Sequence, residues 1–290
     1  MKYGLPYQGS KSAIAKWVVA QIPPADVFVD LFAGGCAVTH CALLSGKFKK
    51  VIANDITAEP KAFLQAVTDG VKDKHFVTKE EFVQTDDQLV KTVYSFGNDC
   101  KHYIYSEEKQ TLANAFHKAV FDNDFQYLQD ITDIDFQEIA KSRYWYDSYL
   151  TIKDYIAKRR NTLIRIEHIE RINRIQALNN PVLSRKAESL QIVQGDYKNL
   201  EIPRNSVVYA DIPYKSKAKY HNDFDHEEFY LWCKRQTQPL YISEYAMPED
   251  FTETASVKKL NQMCAKSNFN NIEKLFTYNS PIYNDQPTLF

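Results

Sequence analysis

Asp211-Ile212-Pro213-Tyr214 is the tetrapeptide of this chain with the sharpest chemical content. A carboxylate ends the apolar run Val207-Val208-Tyr209-Ala210, a proline stiffens the next turn, and an aromatic ring follows. Such a turn aims a carboxylate, a backbone carbonyl and a flat ring at one small volume. These groups suit a planar substrate that bears an amino group. The ring of Tyr214 stacks on it, while Asp211 and the Ile212 carbonyl accept its two N–H bonds. The same residues also make a plain turn after a buried strand, and the tetrapeptide alone leaves both readings open.

A second group of candidates lies near the start of the chain. Gly34-Gly35 sits where a strand runs into a helix, and glycine lets a backbone approach a ligand closely. The pattern is incomplete as a dinucleotide fingerprint, because Cys36 and Ala37 stand where further glycines would be needed. A pyrophosphate cradle is therefore not expected. An adenosine or amino-acid part lying across the turn fits better. Asp55 ends the next strand, twenty residues after Gly35, and a carboxylate there can accept both hydroxyls of a ribose. A tight glycine turn with Asp55 as a helix cap is the plain alternative. Asp30 ends its own strand and could pair with a ligand ammonium. Lys11 could meet a ligand carboxylate, although a lone lysine near a helix start also suits ordinary surface.

These side chains need a scaffold that brings strand ends together. Ile14, Trp17, Val18 and Ile22 recur at helical spacing and predict a helix over 10–22, stopped by Pro23-Pro24. Residues 27–32 predict a buried strand, 36–45 a helix and 50–55 a second strand, which together make a βαβ unit and imply a parallel sheet. The rhythm breaks over 70–185. Within that stretch Ile166, Ile169, Ile172, Ile175 and Leu178 recur every third residue, as in a helix whose apolar stripe drifts around it. Alternation resumes with strands at 191–193, 207–210 and 240–243 and a helix at 226–237. The expected organisation is a sheet domain, 1–68 and 187–290, split by an insertion over 69–186.

Taken together, these residues resemble the D12 class of DNA adenine-N6 methyltransferases, the Dam-like family that uses S-adenosyl-L-methionine (SAM). Tyr7-Gln8-Gly9-Ser10-Lys11 looks like its N-terminal SAM-binding motif. Asp30-Leu31-Phe32-Ala33-Gly34-Gly35 looks like the D-x-F-x-G-G motif of the first strand. Gly195-Asp196-Tyr197 looks like the step that holds the SAM adenine, and Asp211-Ile212-Pro213-Tyr214 like the catalytic D-P-P-Y. Phe224-Asp225-His226, Phe229-Tyr230-x-Trp232-Cys233, Tyr241 to Tyr245 and Met247-Pro248 are similar to phage-type members. Coverage is strong over 1–60 and 190–250 and weaker between, where the family places target recognition. Ile212 departs from the first proline of the motif but supplies the same backbone carbonyl. Cys36 departs from a frequent third glycine and reads as a small buried residue.

The resemblance implies a Rossmann-like α/β methyltransferase sheet with an inserted, mostly helical target-recognition domain. It implies a SAM pocket made by Tyr7, Lys11, Asp30, Phe32, Gly34, Gly35, Asp55, Ile56, Asp196 and Tyr197, and catalysis by Asp211, Ile212, Pro213 and Tyr214. The substrate is then adenine in double-stranded DNA, flipped out of the helix to reach the site. Asp211 favours adenine over the relatives whose motif begins with Asn or Ser. The chain has no Pro-Cys dipeptide for cytosine-C5 transfer. A catalytically silent DNA-binding relative and an RNA adenine-N6 methyltransferase are the alternatives.

Composition is compatible with that reading. Net charge is -1 over 290 residues, so no basic nucleic-acid binder shows in the average. The average hides a segregation: 15 Asp/Glu against 7 Lys/Arg over 69–140, and 11 Lys/Arg against 4 Asp/Glu over 141–186. The basic stretch predicts contact with a polyanion through Lys158, Arg159, Arg160, Arg165, Arg171 and Arg174, with Tyr144, Trp145 and Tyr146 as a possible wedge. A solvated helix face is the plain reading of the same charges. The acidic stretch is expected to lie away from DNA. Five cysteines without a CxxC pair, and no HExxH, give no support to a disulfide scaffold or a zinc site. No apolar run is long enough to span a membrane, no secretory leader is expected from the opening residues, and a bacterial or phage-infected cytoplasm is the expected location. A cognate restriction endonuclease is a possible partner.

Overall fold

The computed structural model describes residues 1–72, 74–139, 142–213, 224–259 and 271–278. Its strands are β1 (Ala25–Asp30), β2 (Phe48–Asp55), β3 (Leu190–Gln194), β4 (Ser206–Asp211), β5 (Leu240–Glu244), β6 (Thr252–Lys259) and β7 (Asn271–Thr277). They form one seven-stranded sheet in the order β3-β2-β1-β4-β5-β7-β6. β1 to β5 pair in parallel, and β7 and β6 join antiparallel. The central strands carry continuous apolar runs and are buried along most of their length, as parallel strands covered on both faces must be. Strand order reverses at β1, which has β2 on one side and β4 on the other. In such sheets ligands bind outside the carboxyl ends of the strands at that point.

Chain contacts divide the described residues into two compact units. One comprises Met1–Leu5, Gly9–Val67 and the chain from Asn180 onward; the other comprises Pro6–Gln8 and Thr68–Asn179. The sheet unit therefore takes in the helix Pro181–Ala187, which the sequence reading assigned to the insertion. Ser184 Oγ donates to the Val67 carbonyl at 3.0 Å and holds that helix there.

The expected helix over 10–22 is two pieces. A 3-10 turn, Lys11–Ala13, and a helix, Ala15–Gln21, meet at Ile14, whose backbone leaves helical geometry at φ -120°. Ser10 caps the turn by accepting the Ser12 N–H. The break leaves Lys11 4% exposed, which a continuous surface helix would not do. The β6–β7 hairpin was not expected. β6 reads Thr-Glu-Thr-Ala-Ser-Val-Lys-Lys, a polar edge strand with no apolar run to reveal it.

The insertion unit is helical. Thr78 and Glu81 form a capping box on the helix Lys79–Gln84, and Asp87 caps Gln88–Tyr94. The helices Glu107–His117, Gln126–Thr132, Trp145–Arg160 and Glu167–Gln176 follow. Ile166, Ile169, Ile172, Ile175 and Leu178 are all buried, so the every-third pattern is the core-facing side of Glu167–Gln176 and its flanks. His168 lies among them, completely buried. Its Nδ1 meets the Tyr105 hydroxyl at 2.8 Å and its Nε2 meets His117 Nδ1 at 3.1 Å.

Candidate active site

Parallel pairing brings Asp30, Asp55 and Asp211, the last residues of β1, β2 and β4, to one edge of the sheet, with Asp196 just beyond β3. Each is fixed differently. Asp30 is buried. Its Oδ2 accepts the Thr39 N–H at 3.0 Å and the Thr39 hydroxyl at 2.6 Å. Its Oδ1 is buried and has no hydrogen-bond partner among the described residues. Burial, with Asp211 and Asp55 adding, pushes the Asp30 carboxyl up to about 7, against the hydrogen bonds from Thr39. A buried carboxylate oxygen of this kind is costly unless a cation meets it. The donor set therefore suits a ligand that brings positive charge to β1.

Asp55 closes the glycine turn. Its Oδ2 accepts the Gly34 N–H at 2.8 Å, and its Oδ1 accepts the Thr57 N–H and hydroxyl at 2.9 and 2.7 Å. It thus holds the loop as the turn-and-cap alternative required. Oδ1 accepts two bonds already, and Oδ2 can accept one more. Gly34 takes φ +46° and Cys36 takes φ +59°. Cys36 stands in the left-handed region, where a glycine would be unstrained. Its thiol is buried, and burial pushes its pKa well above the ordinary value, so it is no nucleophile. Gly35 accepts the Leu5 N–H at 2.8 Å. A Cβ on Gly4 would lie 2.3 Å from that same Gly35 oxygen. Gly4 is therefore a requirement of the turn, legible only as a glycine three residues before the first motif.

Two further residues escaped the sequence reading. Asn54 donates to Leu31 O at 3.0 Å and Gly195 O at 3.2 Å, tying the ends of β1 and β3 together. His226 donates to the Pro213 carbonyl at 2.8 Å and so holds the turn after β4. His226 stood within a quoted motif, whereas Asn54 had only its place beside Asp55 as a signal. Phe32 and Tyr197 pack ring to ring at 5.2 Å, in one aromatic cluster with Phe224, Phe229 and, against Tyr197, Trp232. Asp196 caps its turn by accepting the Lys198 N–H, and Ile56 is 71% exposed beside Asp55.

Lys11 departs from its expected role. Its ammonium lies 2.7 Å from Asp211 Oδ1 and 3.3 Å from Glu273 Oε1. Burial opposes its charge, yet Asp211 and Glu273 together hold its pKa above the ordinary value. A buried ammonium needs such anions, so Lys11 serves the β4 carboxylate rather than waiting for a ligand's. Ile212 is buried, and its carbonyl accepts no hydrogen bond among the described residues. Tyr214 lies outside the described residues. Tyr7 belongs to the short piece Pro6–Gln8 grouped with the insertion.

The arginines expected to face DNA are largely engaged within their own unit. Arg171 donates to the carbonyls of Val93 and Ser95 at 2.9 and 2.6 Å, which finishes the helix Gln88–Tyr94. Arg165 bonds Glu170 at 2.7 Å. Arg174 is half-buried, and burial, with Arg171, lowers its pKa. Arg160 donates to the Thr132 carbonyl, and Arg159 lies over the Tyr155 ring at 3.4 Å. Lys158, Arg159 and Arg160 remain exposed at the end of their helix. Tyr144 bonds Asn173, and Tyr146 packs on Tyr149. Trp145, with Lys72, Lys74, Lys118 and Phe121, lines a cavity of about 710 Å³. Three lysines of the acidic stretch thus gather at one place.

Against this geometry, the family description D12 class N6 adenine-specific DNA methyltransferase matches residues 7–238. The chain belongs to that family, and its reaction is methyl transfer to adenine N6 in DNA. A comparison with curated proteins finds no match. Among solved structures, the rRNA methyltransferase aviRa from Streptomyces viridochromogenes aligns at 10% identity and a TM-score of 0.33. That alignment covers 91% of this chain and 81% of the other. No described helix is long and apolar enough to cross a membrane.

Proposed function

We propose that the chain methylates adenine N6 in duplex DNA with SAM as donor, and that Asp211 and the Ile212 carbonyl accept the amino protons. The observation that carries this reading is the convergence of Asp30, Asp211 and Lys11 at one sheet edge, with one buried Asp30 oxygen left unpartnered. SAM supplies an electrophilic methyl on a positively charged sulfur. Asp30 meets the donor's ammonium, Phe32 and Tyr197 flank its adenine beside Ile56, and Asp55 and Asp196 meet its polar groups.

The chemistry assigned to the protein is orientation. The N6 lone pair of adenine is delocalised into the ring and is a weak nucleophile. Acceptance of its two protons turns that lone pair out of the ring plane, toward the methyl. After transfer the nitrogen carries one proton too many, and Asp211 is placed to take it. Lys11 fixes Asp211 through Oδ1 at 2.7 Å, and acceptance of the substrate's amino proton is assigned to the carboxylate so held. Such alignment supplies most of the rate when no covalent enzyme intermediate is needed. Tyr214 would provide the stacking face for the flipped base.

Phosphate contact is assigned to the exposed Lys158, Arg159 and Arg160, with Lys72, Lys74 and Lys118 as a second cationic group. Action in the cytoplasm, with or without a cognate restriction endonuclease, belongs to this reading. The test is incorporation of labelled methyl into adenine-containing duplex DNA, followed by long-read sequencing for N6-methyladenine. Asp211→Ala is expected to lose transfer by about 10²–10⁴-fold while thermal unfolding stays cooperative. Near-normal turnover of that variant would remove Asp211 from the mechanism.

A further inference from the structure

A second carboxylate on the Lys11 ammonium comes from a part of the chain that the family match does not reach. The match ends at residue 238, and Glu273 lies on β7. Topology explains its presence. β7 runs antiparallel to β5, with Glu244 opposite Lys274. The first residues of β7 therefore fall at the same edge as the last residues of β4 and β5. Glu273 is fully buried, and its Oε1 lies 3.3 Å from Lys11 Nζ, so the pair is little screened by solvent.

A lone Lys11–Asp211 pair would weaken Asp211 as an acceptor, because a bare ammonium 2.7 Å away stabilises the charged carboxylate and opposes its taking a proton. A second carboxylate on the same ammonium offsets that pull. It also removes the freedom of Lys11 to swing, since the ammonium must satisfy two fixed oxygens. The groups around this triad are Tyr209 on β4, whose hydroxyl pairs with Ser243 at 2.8 Å, Tyr245 after β5, and Asp30 at the end of β1. Tyr209 and Tyr245 both have raised pKa values, from burial first and from these carboxylates second, so they stay neutral. Lys11 is the cation shared by Asp211 and Glu273.

We infer that Glu273 is a positioning residue of the methyl transfer: it holds Lys11 against Oδ1 of Asp211 and offsets the lysine charge, so that Asp211 remains an effective acceptor for the amino protons. This rests on the assignment of Asp211 to that role, and the experiment separates the two.

Wild type, Glu273→Gln, Glu273→Asp and Asp211→Asn are compared for kcat against pH on an adenine-containing duplex, for SAM affinity by calorimetry, and for thermal unfolding. Glu273→Gln is expected to lower kcat by about ten- to a hundredfold with SAM affinity little changed. Its acidic limb should move to lower pH, because Asp211 then faces an uncompensated ammonium. Glu273→Asp keeps the charge and should keep the position of that limb, with part of the rate restored. A Glu273→Gln profile that superimposes on wild type, or equal loss in Gln and Asp variants with no pH displacement, overturns the inference. If Glu273→Gln does not fold, Glu273→Asp decides alone: wild-type kcat overturns the inference, and a lowered kcat on an unmoved acidic limb supports it. Asp211→Asn separates the two assignments. If it turns over normally, the underlying role of Asp211 fails; if it is inactive while Glu273→Gln matches wild type, only the role of Glu273 fails.

Discussion

At the carboxyl edge of the sheet a buried ammonium meets one buried and one part-exposed carboxylate, and a third carboxylate beside them is forced toward neutrality. In the insertion, two imidazoles and a phenol are buried in one hydrogen-bonded chain, Tyr105 to His168 to His117, with His168 neutral at its centre. Burial pushes the His168 pKa well below its ordinary value, with His117 and Arg171 adding to the effect. Both clusters satisfy polar atoms away from water. They differ in what they can do. The ionic cluster keeps charge that can respond to a substrate and is expensive to disturb. The hydrogen-bonded chain fixes helix positions, and the imidazole at its centre, His168, is held neutral.

That contrast is open to direct attack. Lys11→Met should be the most damaging change to stability, since it strands Asp211 and Glu273 without their cation. A loss of about 3–5 kcal/mol is expected, read by denaturant unfolding, and a loss below 1 kcal/mol would show that Lys11 and Glu273 are not held as a buried ion pair. Asp30→Asn should act in the opposite direction. A carboxyl raised to about 7 in the fold contributes stability that is full below its unfolded pKa near 4 and lost as pH rises through about 7. The variant and wild type should therefore match near pH 4. At pH 8 the variant should be more stable by on the order of a few kcal/mol, and should have lost affinity for SAM. In wild type, SAM binding near pH 7 should release a proton, measurable by calorimetry in buffers of different ionisation enthalpy.

The insertion cluster makes a smaller prediction. Tyr105→Phe removes the hydroxyl that meets His168 Nδ1 and accepts the His168 N–H at 3.1 Å, and should cost about 1–3 kcal/mol of stability. Its kcat, measured where the variant is folded, should not change. The sign of the pH effect also differs from that of Asp30. A histidine held below its ordinary pKa contributes stability that is present above pH 6.5 and lost as pH falls below it. The smallest effect is expected on the surface. Neutralising Lys158, Arg159 and Arg160 should lower the salt dependence of DNA binding by about one unit per phosphate contact removed, whereas an unchanged slope would move the contact to Lys72, Lys74 and Lys118.

The sheet was legible because its central strands are uniformly apolar and end in carboxylates. β1, β2, β4 and β5 all lie within a few residues of where Val27, Val51, Val207 and Leu240 announced them. Motif residues marked the edge where a site would form. What they could not mark was partnership. Lys11 and Glu273 are far apart in sequence, and nothing in either segment indicates that a broken helix and a polar hairpin converge. The engagement of Arg165, Arg171 and Arg174 within their own unit was hidden for the converse reason. Charge along a chain does not say whether a guanidinium meets solvent or, as Arg171 does, the carbonyl end of a neighbouring helix.

The pairing of β1 with β4 has a consequence for how the molecule is made. Val27 lies opposite Ser206, so the central strand leaves the ribosome long before its neighbour. At about 5–20 residues per second the wait is roughly 10–40 s. The insertion helices are local in sequence and are complete within that interval. β1 and β2 must remain with one side of β1 unpaired, and the Asp30 site cannot exist until translation passes β4. Newly made chains should therefore acquire a protease-resistant insertion first and ligand affinity last, an order set by topology.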